Sequence, residues 1–387
     1  MNIRKVMVIV LVLALSVAGV SAQDNGAPEG PIKLGFLGPV TGPAAWVGEE
    51  QVQWMRLAVE DFNAATGWNV ELVEGDTQLD PAEGILAAES VIADSEILGV
   101  VGPAGSQVTE ATLELFSQAN LAHVSAASTK PDLTQQGFDT FFRVVPHDDV
   151  QGPSAATFLY ETLGITKLFV IDDQSSYATN IVASAEEAFT ALGGEIVGRA
   201  SISQEDQDFS ALVTRLGVSD AEAIFFASQV ASQGALLANQ MLEQGVDLKL
   251  FGTDGMFSPV DFIDEADGAT EGAYVSVFAP DVRGVDIAAD VVERYQAAYD
   301  DDFGSFGPPA YVATMVVLEA MARANDNGDL TREGVLAEVA NTDMEMTILG
   351  SPLAFDDNGD VLDASFYIFH VEDGRFVLNV TGDEAQS

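Results

Sequence analysis

Ile97-Leu98-Gly99-Val100-Val101 runs into Gly102-Pro103-Ala104-Gly105-Ser106, and Leu121-Ala122-His123-Val124 runs into Ser125-Ala126-Ala127-Ser128-Thr129. Between them, residues 106–119 have helical character. The unit reads as strand, glycine-rich turn, helix, strand and hydroxyl-rich turn. Both turns then leave the same edge of one sheet. Open α/β sheets bind ligands outside the carboxyl ends of their strands, and a helix N-terminus there offers free N–H groups to an anion. The unit is expected to hold a small carboxylate.

The same alternation extends in both directions. Upstream, 32–37 reads as a strand ending in the loop Gly38-Pro39-Val40-Thr41-Gly42-Pro43, with Trp46 beyond it. A helix over 49–64 is marked by Trp54, Leu57, Ala58, Val59 and Phe62 and stops near Gly67. A strand at 69–73 and a helix over 81–94, capped by Asp80, complete that side. Downstream, strands are expected at 141–145, 167–171, 195–202, 223–226, 248–251 and 274–278. Helices are expected between them, at 151–163, 178–192, 209–216 and 233–244. Alternating strand and helix mark an α/β fold of doubly wound parallel sheets. The stretches 32–145 and 167–278 share this rhythm, which predicts two similar lobes. Helices follow at 286–299, 309–324 and 331–339. The C-terminal part, 353–378, reads as β with tight turns at Asp357-Asn358-Gly359 and Glu372-Asp373-Gly374.

At 387 residues, 48% of them hydrophobic, the chain is long enough for two cores. Arg4 and Lys5, the apolar run 6–17 and the small residues Val20-Ser21-Ala22 read as a secretory signal cleaved near Ala22. Residues 23–30 are a polar leader. The expected location is therefore periplasmic or extracellular. Cysteine is absent, which excludes disulfides, thiolate nucleophiles and cysteine-held metals. The three histidines have no metal-ligand spacing, and no cofactor is expected. A net charge of −46, spread along the chain, repels nucleic acid. Nucleophile-elbow, phosphate-loop and dinucleotide patterns are missing, and His123 lies inside an apolar strand, so the chain is not expected to be an enzyme. Asp356-Asp357-Asn358-Gly359-Asp360 has its glycine too early for a calcium loop and reads as a hairpin turn.

Several stretches, taken in order, resemble one family. They are Leu34-Gly35-Phe36-Leu37-Gly38-Pro39-Val40-Thr41-Gly42, Val100-Val101-Gly102 with Ser106, and Ser125-Ala126-Ala127-Ser128-Thr129. Arg143 with Gln151-Gly152-Pro153, Asp173 with Tyr177, Asp208-Phe209-Ser210 with Leu212-Val213, and Phe251-Gly252 with Asp254-Gly255 follow. Together they resemble the leucine/isoleucine/valine-binding proteins of bacterial ABC importers, from about Ile32 to Phe369. The resemblance implies a type I periplasmic binding fold of two lobes joined by three crossovers. Lobe I would be 31–147 plus 280–365, and lobe II 148–279 plus 366–387. It implies a monomer that captures an amino acid by lobe closure and delivers it to a membrane permease. The alternatives are an amide, a urea-like or other small carboxylate solute, or presentation of ligand to a sensor.

An α-amino acid needs donors for its carboxylate, and acceptors with a negative charge for its ammonium. By resemblance, Ser106 and the Thr129 N–H serve the carboxylate. The Ala127 carbonyl, the Thr129 hydroxyl and Asp254 serve the ammonium, Asp254 standing where the family has a glutamate. Tyr177 would cover the ligand, and Asp148 would assist closure at a crossover. Val47 and Gln229 stand where the best-known members have tyrosines, with Trp46 adjacent to the first, so this end sets specificity. Read without the family, Ser106 is an ordinary helix cap, Thr129 a turn hydroxyl before Pro131, Tyr177 a packed aromatic, Asp148 a helix cap, and Asp254 a turn residue before Gly255.

Overall fold

Five parallel strands form the first sheet in the order β2-β1-β3-β4-β5: β1 (Ile32–Gly38), β2 (Val70–Asp76), β3 (Ile97–Val101), β4 (His123–Ser125) and β5 (Phe141–Arg143). The computed structural model describes residues 26–28, 30–299 and 303–381. The expected signal segment, 1–22, lies outside the described residues. Strand β3 is buried at every position, because helices cover both faces of the sheet. These are α1 (Ala45–Thr66), α2 (Pro81–Ala93) and α3 (Ser106–Gln118). Asp80 caps α2 by accepting from the N–H groups of Ala82 and Glu83, and Gly67 closes α1 with φ of 74°.

The second sheet holds β6 (Lys167–Asp172), β7 (Glu195–Ser201), β8 (Ala223–Ala227), β9 (Lys249–Gly252) and β10 (Tyr274–Val277). Its parallel part runs β7-β6-β8-β9-β10, the same order as the first sheet. Helices α4 (Asp148–Thr157), α5 (Ser176–Ala191), α6 (Ser210–Gly217) and α7 (Ala231–Gln244) accompany it. The chain then returns to the first sheet. Helices α8 (Ala289–Tyr299), α9 (Gly307–Asp326) and α10 (Arg332–Ala340) follow, and α9 packs on α1, β3 and β4. A two-stranded ribbon, β11 (Asp343–Met344) with β12 (Leu353–Ala354), precedes the last crossing. Strands β13 (Tyr367–Glu372) and β14 (Arg375–Thr381) end on the second sheet.

Several details differ from the sequence reading, and helix α1 begins at Ala45 rather than at 49. The second sheet is mixed, because β13 runs antiparallel to β10, and β14 to β13. Asp373 and Gly374, both at positive φ, make the tight turn that reverses the chain there. Helix α4 starts at Asp148, three residues before the expected 151, and continues beyond Thr157 as a π-helical turn over Phe158–Thr162. Extended His147 serves as the cap, and Asp148 and Asp149 stand in the first turn, where the helix dipole favours negative charge. Among the described residues, no helix is long and apolar enough to cross a membrane.

Candidate ligand-binding site

In each sheet the strand order reverses between two neighbours, β1 and β3 in the first, β6 and β8 in the second. The loops leaving such a switch point part to opposite faces and leave a crevice. The two crevices face each other across a cavity. The first lobe lines it with Ala44 and Val47 after β1, Leu79 after β2, Ala104 and Gly105 after β3, and Ala127 after β4. The second contributes Tyr177 after β6, Gln229 after β8, and Asp254 and Gly255 after β9. Phe306, just before α9, completes the wall.

The glycine-rich turn shapes one end. Gly102 has φ of 106° and a Cβ there would lie 2.2 Å from the Leu37 carbonyl oxygen; Gly105 has φ of 88°. Only glycine takes both positions without strain. The Pro103 carbonyl collects the hydroxyls of Ser125 (2.8 Å) and Ser128 (3.0 Å), so these serines stitch the two turns together. Gly105 caps α3 with no side-chain hydrogen bond. The first N–H groups of the helix are therefore left for an outside acceptor. Ser106 is the first helical residue and not the cap. Its Oγ accepts from the Lys130 N–H at 3.2 Å, and its own proton remains available to donate.

The other end is acidic. Asp254 is 3% exposed, and its Oδ1 accepts from the Tyr177 hydroxyl at 2.7 Å and the Gln151 amide at 2.8 Å. These bonds cross the lobe rather than closing its own turn. Burial pushes the Asp254 carboxyl up to about 6, against the pull of Tyr177 and Gln151. Asp148 is fully buried, and neither carboxylate oxygen has a hydrogen-bond partner. Burial first, then the Asp254 charge, push its carboxyl up to about 8; the Thr129 hydroxyl, Arg143 and Asn180 pull the other way. Thr129 and Asn180 stand beside Asp148, yet neither the Thr129 Oγ1 nor the Asn180 Nδ2 makes a hydrogen bond of ordinary geometry. Burial of both carboxyls and the repulsion between them disfavour ionising the two at once. Burial also raises the Tyr177 phenol well above its usual range, so it stays a neutral donor.

Val47, Ala127, Tyr177, Gln229 and Asp254 thus come together on the wall. Ser106 directly follows the wall residue Gly105 and Thr129 lies two residues after Ala127, both buried but not on the wall itself, and Asp148 is tied to Thr129 through its N–H to the Thr129 carbonyl (2.9 Å). Trp46 is not on the wall either. Successive residues of a helix point about 100° apart, and with Val47 facing the cavity Trp46 faces elsewhere. It meets Phe306 edge-on at 5.1 Å and packs on the cores of both lobes. His123 does not join Ser106: it lies between Phe116 and Phe141, with both ring nitrogens unpartnered and burial lowering its pKa to about 3.

Sequence reasoning missed two supporting groups. Glu50 is buried on α1 and accepts from the N–H groups of Gly304, Phe306 and Gly307, which fixes the segment carrying Phe306. Its place three residues after Val47 and four before Trp54, on the apolar face, was the available signal. Gln107 donates from Nε2 to the Leu79 carbonyl at 3.2 Å and to Gln229 Oε1 at 2.8 Å, joining one lobe to the other. Nothing local in the sequence marks that pairing.

The family described as periplasmic binding protein matches residues 31–375. The leucine-, isoleucine-, valine-, threonine-, and alanine-binding protein of Pseudomonas aeruginosa is 27% identical, over 93% of this chain and 94% of its own. A leucine binding protein of Thermotoga maritima superimposes with a TM-score of 0.83 at 26% identity, covering 90% of this chain and 98% of the other. A branched-chain amino acid transporter substrate binding protein of Streptococcus pneumoniae, in complex with isoleucine, gives 0.82 at 25%, covering 91% and 99%. With the fold, the facing switch points and a match over nearly all of the described residues, the chain belongs to the periplasmic binding protein family.

Proposed function

We propose that this chain is an exported solute-binding protein that captures a small zwitterion, an α-amino acid, between its two lobes and delivers it to an ABC permease. One observation carries the reading: uncapped N–H groups at the start of α3 and the buried acid Asp254 lie at one cavity, on opposite lobes. The separation of donors and charge matches an α-carboxylate and an α-ammonium. Ser106 and Thr129 serve the carboxylate; Ala127, the Thr129 hydroxyl and Asp254 serve the ammonium. Tyr177 covers the ligand, Asp148 couples the crossover to the site, and Val47 and Gln229 meet the side chain. Lobe boundaries near 147, 279 and 365 fit the two sheets. The names of the relatives, which bind leucine, isoleucine, valine, threonine or alanine, point to the same class. The family is one of binding proteins, and the chain acts as a monomer without turnover. A thermal-shift panel of amino acids, their amides and short peptides tests the reading. Stabilisation by at least one free α-amino acid is expected, and stabilisation by none would refute it.

A further inference from the structure

The orientation of the Gln229 side chain at the cavity wall is dictated from outside. Gln204 Nε2 donates to Asp173 Oδ2 at 2.9 Å, and Gln107 Nε2 donates to the Leu79 carbonyl at 3.2 Å. Both acceptors are acceptors only, so the amide nitrogens of Gln204 and Gln107 must point their way. The same two nitrogens also reach Gln229 Oε1, at 3.2 Å and 2.8 Å. The Gln229 carbonyl is thereby saturated with donors and its amide cannot be flipped without setting N–H against N–H. The Gln229 backbone is pinned as well, its N–H donating to Asp173 Oδ2 at 2.8 Å. Asp173 is itself held by the Ser175 N–H at 3.0 Å and lies 3% exposed. Among the described residues, Gln229 Nε2 has no acceptor. Val47, Leu79, Ala104 and Phe306 give the same cavity apolar lining.

We propose that Gln229 determines specificity by presenting a fixed N–H donor to the far end of the ligand side chain, selecting a terminal hydroxyl or carbonyl over a branched alkyl group of equal size. Gln107 and Gln204 are positioning residues that act through it. This rests on the amino-acid reading above. A buried donor facing an alkyl group remains unsatisfied, whereas a hydroxyl or amide oxygen satisfies it, and a site built around such a donor discriminates strongly against the isostere that lacks the partner. Gln204 orients Gln229 from within its own lobe, and because Gln107 belongs to the other lobe, the second donor to Gln229 Oε1 arrives only when the lobes meet, which sharpens the discrimination in the closed form.

Isothermal titration with isosteric pairs, threonine against valine and glutamine or asparagine against leucine, tests this on the full mature protein. The wild type should favour the polar member by about tenfold or more in at least one pair. Gln229→Met, which keeps the volume and deletes the donor, should bring the ratio to unity or invert it. Gln107→Leu should shrink the ratio and speed ligand release, while a purely structural role would weaken both members of a pair equally. Equal binding of both members by the wild type, or a ratio unmoved in Gln229→Met, would overturn the proposal while leaving the amino-acid reading intact. Failure of every α-amino acid to bind would overturn both.

Discussion

Asp254 is the single side chain on which the proposed site depends most. A buried carboxylate with two neutral donors on one oxygen has its charge half answered, and under the proposed function a ligand ammonium supplies the rest. Asp254→Ala should cost about 2–5 kcal/mol of ligand affinity, measured by titration calorimetry. The pH dependence follows from the same group. With its pKa raised to about 6 before binding, Asp254 must shed a proton below that pH to receive an ammonium, so affinity should drop roughly tenfold at pH 5. Asp148 contributes to stability in the corresponding sense. Its folded pKa, about 8, stands above the ordinary value of 3.8, so the stability it contributes is fully present below the latter and is lost as pH rises through the former. The melting temperature of the ligand-free protein should therefore decline between pH 6 and pH 8, and Asp148→Asn should flatten that decline in scanning calorimetry.

Among the elements, the loop after β4 depends on one cation. Arg143 is wholly buried; it pairs with Asp360 through Nε and donates to the carbonyls of Ser128, Lys130 and Pro131. Removing it leaves a carboxylate and several carbonyls short of a partner. Arg143→Met should lose about 3–5 kcal/mol of unfolding free energy in urea titrations, and weaken ligand binding because Thr129 rides on that loop. At the start of α3, Gly105→Ala would place a Cβ 2.5 Å from Leu79 Cδ1 at positive φ, and about 1–3 kcal/mol of strain is expected there. The strands and helices themselves were legible in sequence, since apolar runs and helical periodicity are local. The turn Gly102 to Gly105 was legible too, as was the cap at Asp80. What was not legible is long-range. The hydroxyls of Ser125 and Ser128 bind the Pro103 carbonyl 22 and 25 positions away, and the pairing of Arg143 with Asp360 spans 217 positions. The direction of Trp46 depended on a helix beginning one residue before it, a boundary that no composition signal sets.

For the whole molecule, the two sheets repeat one strand order and turn their switch points toward each other, so a ligand between them is touched by both. Binding that engages both lobes at once stabilises the closed arrangement by its differential affinity for it. Direct contact between lobes is already present in Gln107 with Gln229 and in Trp46, which packs on both cores. Recognition of both charges of a zwitterion by the cavity is tested by calorimetric titration of an α-amino acid that binds, alongside its α-hydroxy acid and its methyl ester. Each analogue removes one of the two charges. Loss of measurable affinity for both analogues is expected, and undiminished binding of either would rule out recognition of both charges.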